Sequence, residues 1–300
     1  MNRILLATEK PFTSVTVSLM NDVIEKSGNR FKVITSFNLK EELIKDAAEI
    51  DGLIIRDDTI DREVIEAATS LKVIVRAESG YDNTDIALAS SKGITVMSTS
   101  GQSSNAIAEL VIGLAIFGIR EFFNGKAGGE LRGKTLGLQG YGYAARNVCR
   151  IARGLGMTVN VFTRNSVAQA VSEGLELAGS LEELYSNSDI VSIHVPAKGE
   201  HIKSVNMEVL RCFKKNAMLI NTSRKEIINE ADLCQFMEKR TDIKFISDMI
   251  PDYEPVFREK FAGRHYFTPK RIGTNTEEAE TKSGVAAANQ IVAFFEKRTI

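Results

Sequence analysis

Residues 134–165 carry the densest chemistry in the chain, KTLGLQGYGYAARNVCRIARGLGMTVNVFTRN. A strand-like run, Thr135–Gln139, leads into Gly140-Tyr141-Gly142-Tyr143-Ala144-Ala145, and a helical pattern follows over Ala144–Gly154. This is G-x-G-x-x-A in a strand–turn–helix context, the pattern that cradles a dinucleotide pyrophosphate. Gly140 makes the tight turn, Gly142 lets the backbone approach the phosphates, and Ala145 allows the helix to pack close to the strand. Free N–H groups and the helix dipole then favour an anion at the start of the helix. In an NAD site the next strand ends in a carboxylate that bonds the ribose 2′-hydroxyl. Here the strand Thr158–Phe162 ends in Thr163-Arg164-Asn165, with no carboxylate, and Arg164 is a candidate to face a 2′-phosphate. The residues therefore predict NAD or NADP and lean to NADP, with a solvated loop cation as the plain alternative for Arg164.

Such a turn works only when elements on both sides hold it. Three hundred residues suggest about two domains. With 43% hydrophobic and 26% charged residues, 22 Gly and 5 Pro, the chain is excluded from disordered, collagen-like and disulfide-scaffold classes. Lys and Arg total 38 against 39 Asp and Glu, a net charge of −1, so nothing favours nucleic acid as a partner. Cys149, Cys212 and Cys234 form no CxxC and no zinc spacing, which predicts reduced thiols and no metal. The opening MNRILLATEK is too short for a secretory h-region and no apolar run reaches 18 residues, so a cytoplasmic protein without membrane spans is expected.

Short apolar runs alternate with helical patterns along the whole chain. Strands are expected at Arg3–Thr8, Lys32–Ile34, Gly52–Ile55, Lys72–Arg76 and Thr95–Met97. Helices are expected between them at Val15–Lys26, Glu42–Glu49, Asp61–Ala68 and Ile86–Lys92. After a glycine turn at Gly128-Gly129 a second alternating series begins, with later strands at Ile190–His194, Ala217–Asn221 and Lys244–Asp248. This predicts an α/β protein of two doubly wound, mostly parallel sheets. The apolar segment Ser103–Phe123 reads as one long helix that crosses between domains or packs on a partner subunit. A final helix runs to about Lys297 from near Thr274, where Glu277 completes a capping-box pattern.

The glycine turn, together with ATEKPF, IIRDDTI, VRAESGYDNTDI, STSGQSSNAIAEL, SIHVP, INTSRKEIINE, SDMIPDYEP and YFTPKRIGTNTEEA in that order, resembles the D-2-hydroxyacid dehydrogenase family. Within it the chain is most similar to short D-3-phosphoglycerate dehydrogenases that lack a C-terminal regulatory domain. The resemblance implies two Rossmann-like domains with a cleft between them. A flavodoxin-like substrate domain would span 1–98 plus 273–300, and a dinucleotide-binding domain 99–272. It also implies a homodimer through the Ser103–Phe123 helix, and no effector domain after the last helix.

Residue roles follow from the same likeness. Arg224, in Asn221-Thr222-Ser223-Arg224, would bind the substrate carboxylate and carbonyl, which suits a bidentate guanidinium. The backbone of Ser79-Gly80 would cradle that carboxylate, and Arg56 would reach a substrate phosphate. Tyr143, Ala144, His194, Val195, Pro196, Thr222 and Ser223 would lie beside the cofactor, and Asp248 would meet the nicotinamide amide.

The pattern breaks at the acid/base. Most of the family carries a His in Thr-Pro-His, oriented by a Glu; here the segment is Thr268-Pro269-Lys270-Arg271-Ile272-Gly273. Lys270 is the proposed proton carrier, because a lysine serves once burial or a neighbouring cation lowers its pKa. Arg271 never deprotonates near neutrality and would bind phosphate or carboxylate instead. Which of the two faces the cleft stays open. His265 reads as a strand or loop histidine rather than a catalytic one. Glu254 matches the family's Glu-Pro one residue late, with no His to orient. Glu78 and Asp57 bring extra negative charge near the expected substrate anion.

The implied function is an NAD(P)-dependent oxidoreductase acting at C2 of a small D-2-hydroxy or 2-keto acid, most simply D-3-phosphoglycerate in serine biosynthesis. A glyoxylate or hydroxypyruvate reductase using NADPH is the first alternative, and a non-catalytic dinucleotide-binding relative the second.

Overall fold

A computed structural model describes residues 1–35, 40–56, 58–80 and 84–297; Asp57 lies outside them. The chain forms two compact units, Met1–Ser103 with Thr276–Ile300, and Ser104–Asn275. Residues 99–103 therefore group with the first unit and 273–275 with the second.

The first unit runs β1 (Arg3–Thr8), α1 (Ser14–Lys26), β2 (Arg30–Thr35), α2 (Lys40–Ala47), β3 (Gly52–Ile55), α3 (Arg62–Ala67), β4 (Val73–Arg76), α4 (Ile86–Ser91) and β5 (Thr95–Ser98). Its sheet has the order β2-β1-β3-β4-β5, parallel throughout. Alternate strand residues point to opposite faces. Leu5, Leu53, Ile55 and Ile74 therefore pack under α2, α3 and α4, while Ile4, Leu6, Ile54 and Val75 pack against α1 and the last helix of the chain. Burial on both faces explains why these strands read as continuous apolar runs. Side-chain caps start the helices where the sequence changes period: Thr13 for α1, Asp61 for α3 and Asp85 for α4.

The second unit runs α5 (Ser104–Ile119), β6 (Thr135–Gln139), α6 (Tyr143–Gly154), β7 (Thr158–Phe162), α7 (Val167–Ser172), β8 (Glu176–Leu177), α8 (Leu181–Asn187) and β9 (Ile190–Ile193). It continues with α9 (Met207–Arg211), β10 (Met218–Asn221), α10 (Glu230–Lys239), β11 (Lys244–Ser247), α11 (Glu254–Lys260) and β12 (His265–Phe267). Its parallel sheet has the order β12-β11-β10-β9-β6-β7-β8. The order reverses between β6 and β9, the switch point beside which α/β sheets bind ligands at the carboxyl ends of their strands. The final helix α12 (Glu277–Lys297) returns to the first unit. There the backbone of Gly52 lies so close to it that a Cβ would meet Ile291 at 2.7 Å.

Several helix limits differ from expectation by a residue or more, and at two of them the structure shows the cause. The apolar helix does not reach Phe123; α5 stops at Ile119, and Glu121–Phe123 form a 3₁₀ turn with φ near +55°. Lys244 ends it by donating to the Gly118 carbonyl (2.9 Å) and Glu121 (2.5 Å), while Phe122 and Phe123 fold back edge-on against Phe117. The chain then passes so close under the helix end that a Cβ at Gly128 would sit 2.6 Å from the Ile119 carbonyl oxygen. At the other limit, Thr276 rather than Thr274 caps α12, its hydroxyl accepting from the Ala279 N–H at 3.1 Å.

Candidate active site

The carboxyl ends of β6, β9, β10, β11 and β12 lie side by side in the second unit's sheet, and each carries expected site residues. After β6 the backbone enters the glycine turn. Gly140 has φ +99°, and a Cβ there would strike the His194 carbonyl oxygen at 2.7 Å and Val195 at 2.8 Å, so the protein itself requires glycine. Gly142 is different. Its backbone is extended, it starts α6, and a Cβ would meet nothing within 4 Å. No neighbour in the unit calls for glycine there, whereas a phosphate approaching the backbone would. Ala145 is fully buried where α6 meets the sheet. Ala144 is half-buried beside it, and Tyr143 is 57% exposed with the Arg146 guanidinium 5.0 Å over its ring. Tyr141, inside the turn, is buried, and its hydroxyl donates to Glu173.

At the end of β9 the His194 N–H donates to the Gln139 carbonyl at 2.8 Å, tying the glycine turn to this strand. The ring Nε2 lies 2.9 Å from Ser192 Oγ, and burial pushes the imidazole pKa down to about 4. His194 is therefore neutral near pH 7. Val195 is half-buried and Pro196 exposed.

At the end of β10 the fully buried Asn221 clamps the next three residues. Its side-chain oxygen accepts from the Ser223 N–H (2.9 Å) and its amide donates to the Arg224 carbonyl (3.0 Å). Ser223 Oγ bonds the Ile193 carbonyl at 3.0 Å, so β9 and β10 end as one piece. The Arg224 guanidinium is half-buried and folded onto the Ser223 carbonyl at 2.9 Å. The Thr222 hydroxyl is buried and has no hydrogen-bond partner among the described residues. A buried orphan hydroxyl calls for a partner. Together with the open Cβ direction of Gly142, it is what a dinucleotide laid across these strand ends would explain.

Asp248, at the end of β11, is fully buried. Its carboxylate accepts from the Thr268 hydroxyl (2.9 Å), the Ile272 N–H (3.0 Å) and the Gly273 N–H (2.7 Å). The carboxylate thus holds both ends of the turn that carries Lys270 and Arg271. Both of those side chains are exposed in the turn after β12.

The other residues singled out in the sequence have the following places. Glu254 opens α11 and its carboxylate takes both the Nε and Nη2 of Arg258, at 2.8 and 2.5 Å. It lines a recess of about 550 Å³ with Pro269 and His265. His265 is a strand residue, its Nδ1 on the Phe261 carbonyl and its ring against Phe257 and Phe267. Thr163 is half-buried and accepts from the Ser166 N–H at 3.3 Å. Arg164 pairs with Glu200 at 2.5 Å, both exposed.

In the first unit Arg56 follows β3 and is buried. It is 3% exposed, donates to the Lys10 carbonyl (3.2 Å), lies 3.5 Å from Glu280 and sits 4.5 Å over the Phe12 ring. Ser79 and Gly80 follow β4 in a loop where Gly80 has φ +93° and Arg76, unflagged by the sequence, braces the Ser79 carbonyl at 3.0 Å. The clamps at Asn221, Asp248 and Arg76 were missed because each is defined by its partners; Asn221 alone left a local signal, an Asn two residues before a Ser at a strand end.

A family profile described as "D-isomer specific 2-hydroxyacid dehydrogenase, NAD binding domain" matches residues 120–267. The D-3-phosphoglycerate dehydrogenase of Methanocaldococcus jannaschii is 31% identical over 269 residues, covering 84% of this chain and 51% of that protein. This chain thus spans about half the length of that relative. The glyoxylate reductase of Thermococcus litoralis is 30% identical over 275 residues, covering 84% of this chain and 82% of that protein. Among solved structures, NAD⁺-bound 3-phosphoglycerate dehydrogenase of Entamoeba histolytica is 38% identical with a TM-score of 0.88, covering 98% of this chain and 95% of that one.

Proposed function

Because the chain belongs to the D-isomer specific 2-hydroxyacid dehydrogenase family, we propose that it is an NAD(P)-dependent oxidoreductase acting at C2 of a small D-2-hydroxy or 2-keto acid, with D-3-phosphoglycerate the favoured substrate. The observation that carries this reading is the row of strand ends in one sheet: the glycine turn after β6, the orphan Thr222 hydroxyl and clamped Arg224 after β10, and the Lys270-Arg271 turn after β12. When bound, the nicotinamide supplies the hydride acceptor or donor at C4. Arg224 binds the keto acid's carboxylate and polarises its carbonyl. Lys270 holds or moves the proton at the C2 oxygen, which the permanently charged Arg271 cannot do; Arg271 binds substrate anion. Glu254, paired with Arg258, is left as a neighbour of this turn rather than a proton carrier. The Entamoeba relative is described as NAD⁺-bound, which favours NAD over NADP.

One observation favours a second reading, a glyoxylate or hydroxypyruvate reductase. The cation expected to reach a substrate phosphate, Arg56, is buried against Phe12 and Glu280. We further propose a homodimer through α5 and the turn after it, where Ile116 and Phe123 are 38% and 66% exposed. Three free thiols suit a cytoplasmic setting. Among the described residues no helix is long and apolar enough to cross a membrane.

The test is oxidation of NADH and NADPH, side by side, with hydroxypyruvate phosphate, hydroxypyruvate and glyoxylate. Turnover fastest with the phosphorylated acid supports the first reading, and preference for the unphosphorylated acids supports the second. Cofactor binding without turnover on any of them would refute both and leave a non-catalytic dinucleotide-binding protein.

A further inference from the structure

We propose that the outer flank of α6 is an anion site separate from the glycine turn, shaped for a small phosphate-bearing ligand. A recess of about 640 Å³ opens there, lined by Tyr143, Arg146, Asn147, Arg150, Arg153 and Glu173. Tyr143, Arg146, Arg150 and Arg153 follow one another at spacings of three and four, so all four project from one stripe of the helix. Three guanidiniums therefore share one face of a protein whose net charge is −1.

Their direct hydrogen-bond partners are neutral, and the Glu173 carboxylate acts on Arg146 and Arg153 only at longer range. Arg150 donates to the Asn105 side-chain oxygen at 3.2 Å, and Arg153 to the Glu173 carbonyl at 3.1 Å. Arg146 lies over the Tyr143 ring. Among the described residues no carboxylate oxygen comes within 4 Å of any of the three. The one carboxylate in the recess, Glu173, is turned away, accepting from the buried Tyr141 hydroxyl and from Gln169 at 2.5 Å.

The helix's own electrostatics favour Arg153, in the last turn, but oppose the rest of this arrangement. Like charges at spacings of three and four repel on a helix surface. Arg146 also sits in the first turn of α6, at the positive end of the dipole, where a cation is disfavoured. An anion in the recess relieves both. Planar guanidinium forks match phosphate oxygens in pairs. The volume suits pyrophosphate or a nucleotide-sized molecule. At 1.5 Å per residue, Arg150 and Arg153 lie about 12 and 16 Å along the axis from Gly142, beyond the reach of a phosphate seated on the turn.

The experiment is calorimetric titration of the whole chain with inorganic pyrophosphate, with and without saturating NAD⁺, at constant ionic strength. One pyrophosphate per chain is expected to survive under saturating NAD⁺, with further binding at the glycine turn only when NAD⁺ is absent. Arg150→Ala with Arg153→Ala should weaken it about tenfold while leaving NAD⁺ affinity unchanged. If that pair fails to fold, Arg150→Gln with Arg153→Gln poses the same question with longer side chains. Heat that vanishes under saturating NAD⁺ would place the anion at the glycine turn and overturn the proposal. So would unchanged binding in the variants, equal heats from sulfate, or a fall in oligomer mass showing that a second copy covers the flank. The keto-acid assay is independent, so a failed dehydrogenase reading leaves this test intact.

Discussion

Asp248→Asn separates two accounts of the same residue. The native carboxylate gathers three donors from the turn that carries Lys270: the Thr268 hydroxyl and the N–H groups of Ile272 and Gly273. Asparagine keeps one oxygen, which can still serve Thr268 and Ile272. Its amide must then face the Gly273 N–H across a native distance of 2.7 Å. One charge-assisted bond is lost and two donors confront each other in a fully buried site. A bond of that kind is worth about 1.5–3 kcal/mol, and a buried unsatisfied donor about 1–3, so a loss of roughly 3 kcal/mol is expected. For a domain of this size that lowers Tm by roughly 6–12 °C. Thermal unfolding followed by circular dichroism reads it directly. Thr268→Val should cost about 1 kcal/mol by removing one of the donors. The double variant should lose less than the sum, because the two residues share a bond. In the kinetic assay kcat should fall while KM for the cofactor stays near native. The opposite result, an unchanged Tm with a raised cofactor KM, would return Asp248 to the nicotinamide amide and refute the positioning role.

The two glycines of the turn should part company. Gly140→Ala, forced to φ +99° and 2.7 Å from the His194 carbonyl oxygen, should destabilise the chain by more than about 1 kcal/mol; Gly142→Ala should leave Tm near native and weaken NAD(H) binding, and equal loss of stability in both would remove the argument for a phosphate there. Arg224→Gln should raise KM for the keto acid and lower kcat by about 100-fold, with NADH affinity unchanged by fluorescence titration, since a bidentate carboxylate contact worth about 3 kcal/mol is lost. Lys270→Met should abolish the pH dependence of kcat if Lys270 carries the proton; an unaltered profile would move that role elsewhere. His194 has a folded pKa of about 4 against an ordinary 6.5, so the unfolded chain takes up its proton first. Its contribution to stability is complete above pH 6.5 and declines as pH falls toward 4. His194→Gln should flatten that part of the Tm–pH curve, and parallel curves for the two proteins would show that the ring is not neutral when folded.

Most of the framework was legible because it is local. Strands buried on both faces announce themselves as runs such as RILLAT and GLII, and Thr, Asp, Ser and Asn caps mark where helices begin. The glycine turn was legible for the same reason, since its geometry needs only its own residues and the flanking strand and helix. The end of α5 was not, because it is set by Lys244, more than a hundred positions away, and by a backbone crossing at Gly128.

By itself, then, the sequence determined the α/β alternation, the phosphate-cradling turn and the candidates after each strand, all matters of short-range periodicity and residue type. Only the tertiary structure decided which groups those candidates meet. Arg56 became a buried partner of Glu280, Arg164 a surface partner of Glu200, and Asp248 the anchor of the Lys270 turn. A charged side chain's role is set by which opposite charge or N–H lies within about 3 Å, and that is a property of the folded chain.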